Sequence, residues 1–218
     1  HHKQVISDSD NIIERSDIIN NKVDPKHNLR VIGQFHNLYI LCENEHGLLV
    51  IDQHAAHERL IFEDLRNQFL AGKITSQNLL FPETVELSVF QTQLIEKHQG
   101  SIEKMGFGIR DFGGNTFVIS AIPALAGTSG AAALFLNVLD QFGDERPGRK
   151  EATSFLDDIL ADMACKAAIK AGHSLSELEI EALLDRMAKA DLFSHCPHGR
   201  PVIKQFTDND IKKWFHRS

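Results

Sequence analysis

The period of the apolar positions changes several times along the chain, and each change predicts an element. Residues 3–27 are polar, with isolated isoleucine pairs and no sustained period, and end in Asp24-Pro25. They read as linker, and His1 and His2 as the remnant of a purification tag, so the chain is expected to have been cut from a longer protein. Order is expected from Leu29. Three runs rich in Val, Ile and Leu follow, Arg30 to Phe35, Leu38 to Glu43 and Gly47 to Ile51, the last two divided by Glu43-Asn44-Glu45-His46-Gly47. Their shortness and the turn residues between them predict strands. After Ile51 the period becomes helical, with Ala55, Leu60, Ile61, Leu65 and Phe69 on one face until Gly72. Asp52 therefore stands at a strand-to-helix junction, where a carboxylate caps the helix or projects from a rigid edge as a catalytic group.

From about Leu80 the pattern is that of a different lobe. Thr84 to Val89 predicts a strand, and Ser88-x-x-Gln91 is a capping-box signal for a helix to Met105. Phe107 to Asp111 and Asn115 to Ile122 flank Gly113-Gly114 as a hairpin, and Ala131 to Phe142 is helical. The polar stretch Gly143 to Arg149 reads as a loop and lobe boundary. A helix from Ala152 to Ala171 is expected to stop at Gly172, and Ser174-x-x-Glu177 to open another that runs to Ala190. The loop Leu192 to Arg200, a strand Pro201 to Phe206 and a short helix capped near Thr207 complete the chain. The fold class is α+β: an inner strand-rich lobe from residues 28–79 and 154–218, with residues 80–153 inserted as an outer α/β lobe. No internal repeat is present.

Composition narrows the chemistry. The 218 residues are 42% apolar and 24% charged, which is globular, and no run of about 18 apolar residues occurs to span a membrane. Three cysteines, Cys42, Cys165 and Cys196, are too few and too scattered for a disulfide framework, so thiols in a reducing, cytoplasmic compartment are expected. With 23 Lys+Arg against 30 Asp+Glu, the net charge is −7. That balance disfavours a self-sufficient nucleic-acid binder, because such binding is built on cations that neutralise phosphates. Near the C-terminus Arg200, Lys204, Lys212, Lys213 and Arg217 outnumber Asp208 and Asp210, a solvated basic surface or a local DNA contact.

The densest cluster of chemically capable residues is Asp52-Gln53-His54-Ala55-Ala56-His57-Glu58. His54 and Glu58, four apart on a helix, share a face, so an imidazole nitrogen and a carboxylate oxygen can reach one cation. A zinc-peptidase reading fails, since neither HExxH nor HxxEH is present. The second cluster is Cys196-Pro197-His198-Gly199-Arg200-Pro201. Its prolines and glycine prevent a helix, and in an extended loop Cys196 and His198 point to the same side. Cys165, in Ala164-Cys165-Lys166, is a core thiol on a helix of small residues or a third thiolate donor. Thiolate with imidazole favours zinc over magnesium. His54, Glu58, Cys165, Cys196 and His198 together exceed what one tetrahedral zinc needs, and a Glu58-bridged pair of ions is the arrangement that cleaves phosphodiesters.

Asp52-Gln53-His54-Ala55-x-x-Glu58-x-x-x-x-Glu63 resembles the endonuclease motif of the MutL mismatch-repair family. Ala164-Cys165-Lys166 and Cys196-Pro-His-Gly-Arg-Pro201 resemble two further motifs of that family's C-terminal domain, in the same order. The resemblance covers about residues 28 to 218. It implies a homodimerising domain that nicks one strand of double-stranded DNA with manganese or magnesium, with zinc at the cysteine-containing site. It makes Asp52 catalytic, with Glu58, and His54, Glu58, Cys165, Cys196 and His198 metal-binding. Glu63 lies about 140° around the helix from Glu58 and is expected to pair with Arg59 or Arg66 instead. His57 falls on a variable position. Gln77-Asn78-Leu79-Leu80-Phe81-Pro82 resembles the sliding-clamp-binding peptide of nuclease-type members, with Gln77, Leu79, Leu80, Phe81 and Pro82 as its contacts; an ordinary entry into a strand is the other reading. A clamp on DNA would deliver an acidic domain by tethering. The family also implies an upstream ATPase domain, through which alone ATP would act, the mismatch-recognition protein MutS as a partner of the full-length protein, and a bacterial, nucleoid-associated setting. A zinc-stapled interaction module without catalysis is the competing reading, and a hydrolase of small substrates a third.

Overall fold

The computed structural model describes residues 29–126, 130–143, 152–168, 173–190 and 200–217. The expectations for residues 1–27, the loop 144–149, the helix stop at Gly172, and residues 192–199 lie outside the described residues. In chain order the elements are β1 (Arg30–Phe35), β2 (Tyr39–Asn44), β3 (Gly47–Asp52), α1 (Gln53–Leu70), β4 (Ser76–Glu86), α2 (Val89–Lys104), β5 (Gly108–Gly113), β6 (Thr116–Pro123), α3 (Ala131–Gly143), α4 (Ala152–Ala167), α5 (Glu177–Ala190), β7 (Ile203–Phe206) and α6 (Asp208–Trp214). The class is α+β, with two separate antiparallel sheets.

The first sheet has the order β1-β2-β3-β7. His36 and Asn37, both with positive φ (53° and 54°), make the tight turn that the right-handed twist of a two-residue hairpin demands. In β2 and β3, Ile40, Cys42, Leu49 and Ile51 point inward and are fully buried, while Tyr39, Leu41, Leu48 and Val50 take the other face. Burial pushes the Cys42 thiol up to about 11, the behaviour of an ordinary core thiol. At the β2–β3 turn, Gly47 (φ 129°) is required by space as well as conformation, because a Cβ there would stand 2.2 Å from Phe206 O of β7.

The second sheet has the order β4-β6-β5. Here a sequence expectation is corrected. The strand read as Thr84 to Val89 begins at Ser76 and ends at Glu86, and Val89 opens α2 behind the Ser88–Gln91 capping box. Ser88 cannot both cap a helix and continue a strand, and the cap wins. The early part of β4 was hidden by a wide bulge: Asn78 pairs with Ala121 and Glu83 with Ile119, so residues 79–82 face a single residue of β6. The hairpin at Gly113-Gly114-Asn115 stands as expected, with φ of 95°, 59° and 62°.

Two apolar cores result. The larger is built from β4, β6, α2, α3 and α4 with the C-terminal half of α1, around Phe107, Phe135 and Phe142. The smaller joins the inner face of the first sheet to Ala55, Ala56 and Leu60 of α1 and to α5. Helix α1 thus belongs to both. A second correction concerns α5, whose capping box is Ser176 with Glu179 rather than Ser174 with Glu177. Leu175 and Ile180, both buried in the smaller core, then fall at the two positions of a hydrophobic staple, which fixes that choice. Helix α4 is described as far as Ala167. Among the described residues no helix is long and apolar enough to cross a membrane.

Candidate metal centre and its acidic edge

The site begins where β3 becomes α1. Asp52 ends the strand, its N–H donates to Val202 O (2.9 Å), and its Oδ1 accepts from Ala55 N (2.9 Å) as the helix N-cap. The bland reading of Asp52 is therefore real, and a half-buried carboxylate is also held rigidly at the mouth of the site. The register sets Tyr39 directly opposite Asp52, and the hydrogen bond from Asp52 to Val202 brings the segment after Arg200 alongside the same junction.

One turn into α1, His54 Nε2 lies 3.9 Å from Glu58 Oε2, as the four-residue spacing requires. Glu58 is 0% exposed, and His54 is partly exposed. From α4, which packs along α1, the Cys165 thiol comes to the same place: one ligand atom from each of His54, Glu58 and Cys165 lies within 4.8 Å of the other two. Two ligands held at 2.0 to 2.3 Å by a tetrahedral ion stand roughly 3.3 to 3.8 Å apart, so small side-chain adjustments would close these atoms on one cation. Imidazole, carboxylate and thiolate form a donor set suited to zinc. Three of the five expected ligands are thus brought together, and Cys196 and His198 lie outside the described residues.

The remaining expectations sort cleanly. Glu63 pairs with Arg59 at 2.7 Å on the flank of α1, as its rotation around the helix implied. His57 is half-buried on the face toward α5, where burial first, then the Arg186 guanidinium and His54, hold it below the usual imidazole range. Arg186 itself is paired with Asp64 at 2.5 Å. Within the six-residue string, Leu80 is 86% exposed and Phe81 80% exposed at the crest of the β4 bulge, whereas Leu79 packs partly against the larger core. Two adjacent large apolar side chains thus stand in water at this bulge.

Sequence reasoning overlooked Gln53. It lies between Asp52 and His54, is 2% exposed, and donates from Nε2 to His173 O at 2.7 Å. The signal was present in the motif, but a glutamine on a presumed surface helix carries no ligand chemistry that would single it out.

With this geometry in hand, comparison with known proteins is decisive at the level of family. The model of the MutL C-terminal dimerisation domain matches residues 32–175. The chain belongs to the MutL C-terminal dimerisation domain family. The DNA mismatch repair protein MutL of Geobacter sulfurreducens is 41% identical over 189 residues, which are 87% of this chain and 31% of that protein. MutL of Geotalea daltonii is 41% identical over 190 residues (87% and 31%) and that of Syntrophotalea carbinolica 40% over 191 residues (87% and 30%). The chain spans under a third of the length of these MutL relatives. As a member of the MutL dimerisation family it has a face suited to self-association. On the side of the first sheet away from its core, Ile32, Phe35 and Tyr39 are exposed, with Trp214 of α6 set edge-on against Phe206 of β7.

Proposed function

We propose that the chain is the endonuclease module of a MutL mismatch-repair protein: a homodimer that uses divalent ions to nick one strand of double-stranded DNA. The observation that carries this reading is the approach of Cys165 to His54 and Glu58, because motifs from distant parts of the chain converge on one donor set. His54, Glu58 and Cys165, joined by Cys196 and His198, would hold zinc, and Glu58 would also be available to a manganese or magnesium ion. Bound there, such ions supply Lewis acidity to the scissile phosphate and lower the pKa of the attacking water. Asp52 is the group that would take the proton from the attacking water: its Oδ1 accepts from Ala55 N in the helix cap, which leaves Oδ2 for that role. Burial keeps the Glu58 carboxylate from swinging out of the site.

The exposed apolar side of the first sheet is the dimer face, pairing with the same face of a second copy. The net charge of −7 leaves the domain a weak hold on DNA of its own. The bulge carrying Leu80 and Phe81, with Gln77, Leu79 and Pro82, docks on a DNA-bound sliding clamp, which supplies the missing local concentration. ATP and MutS act through the rest of the full-length protein.

The dual position of Asp52 defines the test. Asparagine caps a helix as well as aspartate but cannot take a proton, so Asp52→Asn separates the two roles. In the parent protein with manganese and clamp, Asp52→Asn should cut supercoiled plasmid at least a hundredfold more slowly than wild type, with zinc content and dimer unchanged. Unchanged nicking would remove Asp52 from the reaction. Absence of nicking by the wild type would favour the zinc-stapled interaction module.

A further inference from the structure

We propose that Lys204 is a substrate contact of the nicking site: its ammonium holds a DNA backbone phosphate beside the Asp52 carboxylate. The inference rests on the nuclease reading of Asp52 given above and adds to it a group that binds the strand being cut.

The register of the first sheet sets the placement. Along β3, Leu48, Val50 and Asp52 alternate onto the sheet face away from the smaller core. On β7, Lys204 stands directly opposite Val50 and shares that face, while Ile203, opposite Ile51, packs inward. Lys204 is therefore the diagonal neighbour of Asp52, about 7 to 8 Å away and within reach of a four-carbon stem. Toward β2, Gln53 N–H donates to Leu38 O at 3.0 Å, which makes Tyr39 and Asp52 a pair without ladder bonds between them, the kind whose side chains stand closest. Asp52 is thus bounded by a phenol ring on one side and has a cation on the other.

The charges on this face are of two kinds. Arg30 and Glu43, in register across β1 and β2, are closed on each other at 2.6 Å. Lys204 is exposed and makes no ion pair among the described residues, with Asp52 or with any other carboxylate. A cation and a carboxylate left open at diagonal spacing leave room for a third group. The group that answers an ammonium with its oxygens while offering phosphorus to a water beside the carboxylate is a phosphodiester. Strand β7 is also the edge of the sheet, so Lys204 lies at an open margin that a DNA backbone can follow. The acidic groups of the site, Asp52 and Glu58, and a net charge of −7 repel a phosphate; a fixed cation beside Asp52 counters that repulsion where the strand is cut.

The experiment follows binding of a short fluorescein-labelled duplex to the 218-residue chain by anisotropy, over a series of salt concentrations and without added manganese, so that no cutting is involved. Lys204→Gln should bind at least about threefold more weakly at low salt and flatten the slope of log affinity against log salt by about 0.9, the share of one phosphate. Lys204→Arg should remain at wild-type values. Lys73→Gln removes the same charge from an exposed position beyond the far end of α1, a helix roughly 27 Å long, and should also match wild type. Asp52→Asn should bind more tightly, with that gain reduced when Lys204→Gln is added, because the two side chains face one phosphate. Unchanged affinity and slope in Lys204→Gln, or an equal loss in Lys73→Gln, would overturn the proposal while leaving the nuclease reading standing. So would a Lys204→Gln chain that loses its dimer in analytical ultracentrifugation with the salt slope intact, which would assign the lysine to the dimer contact. No measurable binding by wild type at low salt would overturn the proposal as well. Wild-type binding through Lys204, with no nicking by the parent protein in manganese and clamp, would overturn the nuclease reading and leave Lys204 a DNA contact.

Discussion

The two halves of the molecule treat buried polarity in opposite ways. Around the second sheet the core is built from apolar side chains, with Phe107 edge-on to Phe135, Phe142 edge-on to Phe155 and the half-buried His98 imidazole stacked on Phe142. At the seam with the first sheet, α1 buries a glutamine and a glutamate, the two polar side chains counted as buried among the described residues. Each buried ring of the outer region contributes through area removed from water, about 1.5 to 3 kcal/mol. The buried amide and carboxylate of α1 carry a desolvation cost instead, which a fold keeps when the groups have other work. Stability is concentrated in one half and chemistry in the other, and α1 spans both.

Substitutions can break that contrast. The largest effect is expected in the outer core: Phe135→Ala should lower unfolding stability by about 3 to 5 kcal/mol in denaturant melts, with the metal affinity of the still-folded protein unchanged. Loss of metal binding at unchanged stability would invert the contrast. Glu58→Gln should do the reverse. Zinc affinity measured by competition should fall at least tenfold, about 1.4 kcal/mol, while the metal-free protein melts at the same temperature or higher, because an ionisable group has left the interior.

How much of this was legible beforehand follows the same division. Strong alternation in β2 and β3 and the period of α1 placed the strand-to-helix junction at Asp52 correctly, since each segment has one buried face and one more exposed face. The convergence of Cys165 on His54 and Glu58 is a tertiary fact, and motif resemblance anticipated what spacing alone could only permit. Three features were missed for physical reasons. The start of β4 carries no alternation because residues 79–82 bulge out of the ladder. Ser174 and Ser176 both satisfy a capping-box pattern, and only burial of Leu175 and Ile180 selects between them. Gln53 is silent because its value lies in a carbonyl 120 positions away.

Smaller effects sharpen the picture at the margins. Ser176→Ala should cost about 1 kcal/mol near neutral pH by uncapping α5. Hydrogen bonds from Ser176 hold the Glu179 carboxyl below its ordinary value of 4.5. Being depressed in the folded state, that group contributes stability above 4.5, which is lost as the pH falls through its folded value. The difference between Ser176→Ala and wild type should therefore shrink in acid melts as the pH falls below 4.5. Least disruptive is the double variant Leu80→Ala with Phe81→Ala, expected to leave unfolding stability within about 0.5 kcal/mol because both side chains already stand in water. Binding to the sliding clamp, read by surface plasmon resonance, should nonetheless weaken at least tenfold; unchanged binding would return the bulge to an ordinary strand entry.

The central claim is that one cation is shared by an imidazole, a carboxylate and a thiolate drawn from α1 and α4, and X-ray absorption at the zinc edge tests it most directly. The zinc-loaded wild-type chain should show sulfur near 2.3 Å together with nitrogen or oxygen near 2.0 to 2.1 Å, and Cys165→Ser should lose part of the sulfur shell. A wild-type spectrum without sulfur, or a sulfur shell unchanged in Cys165→Ser, would contradict the account.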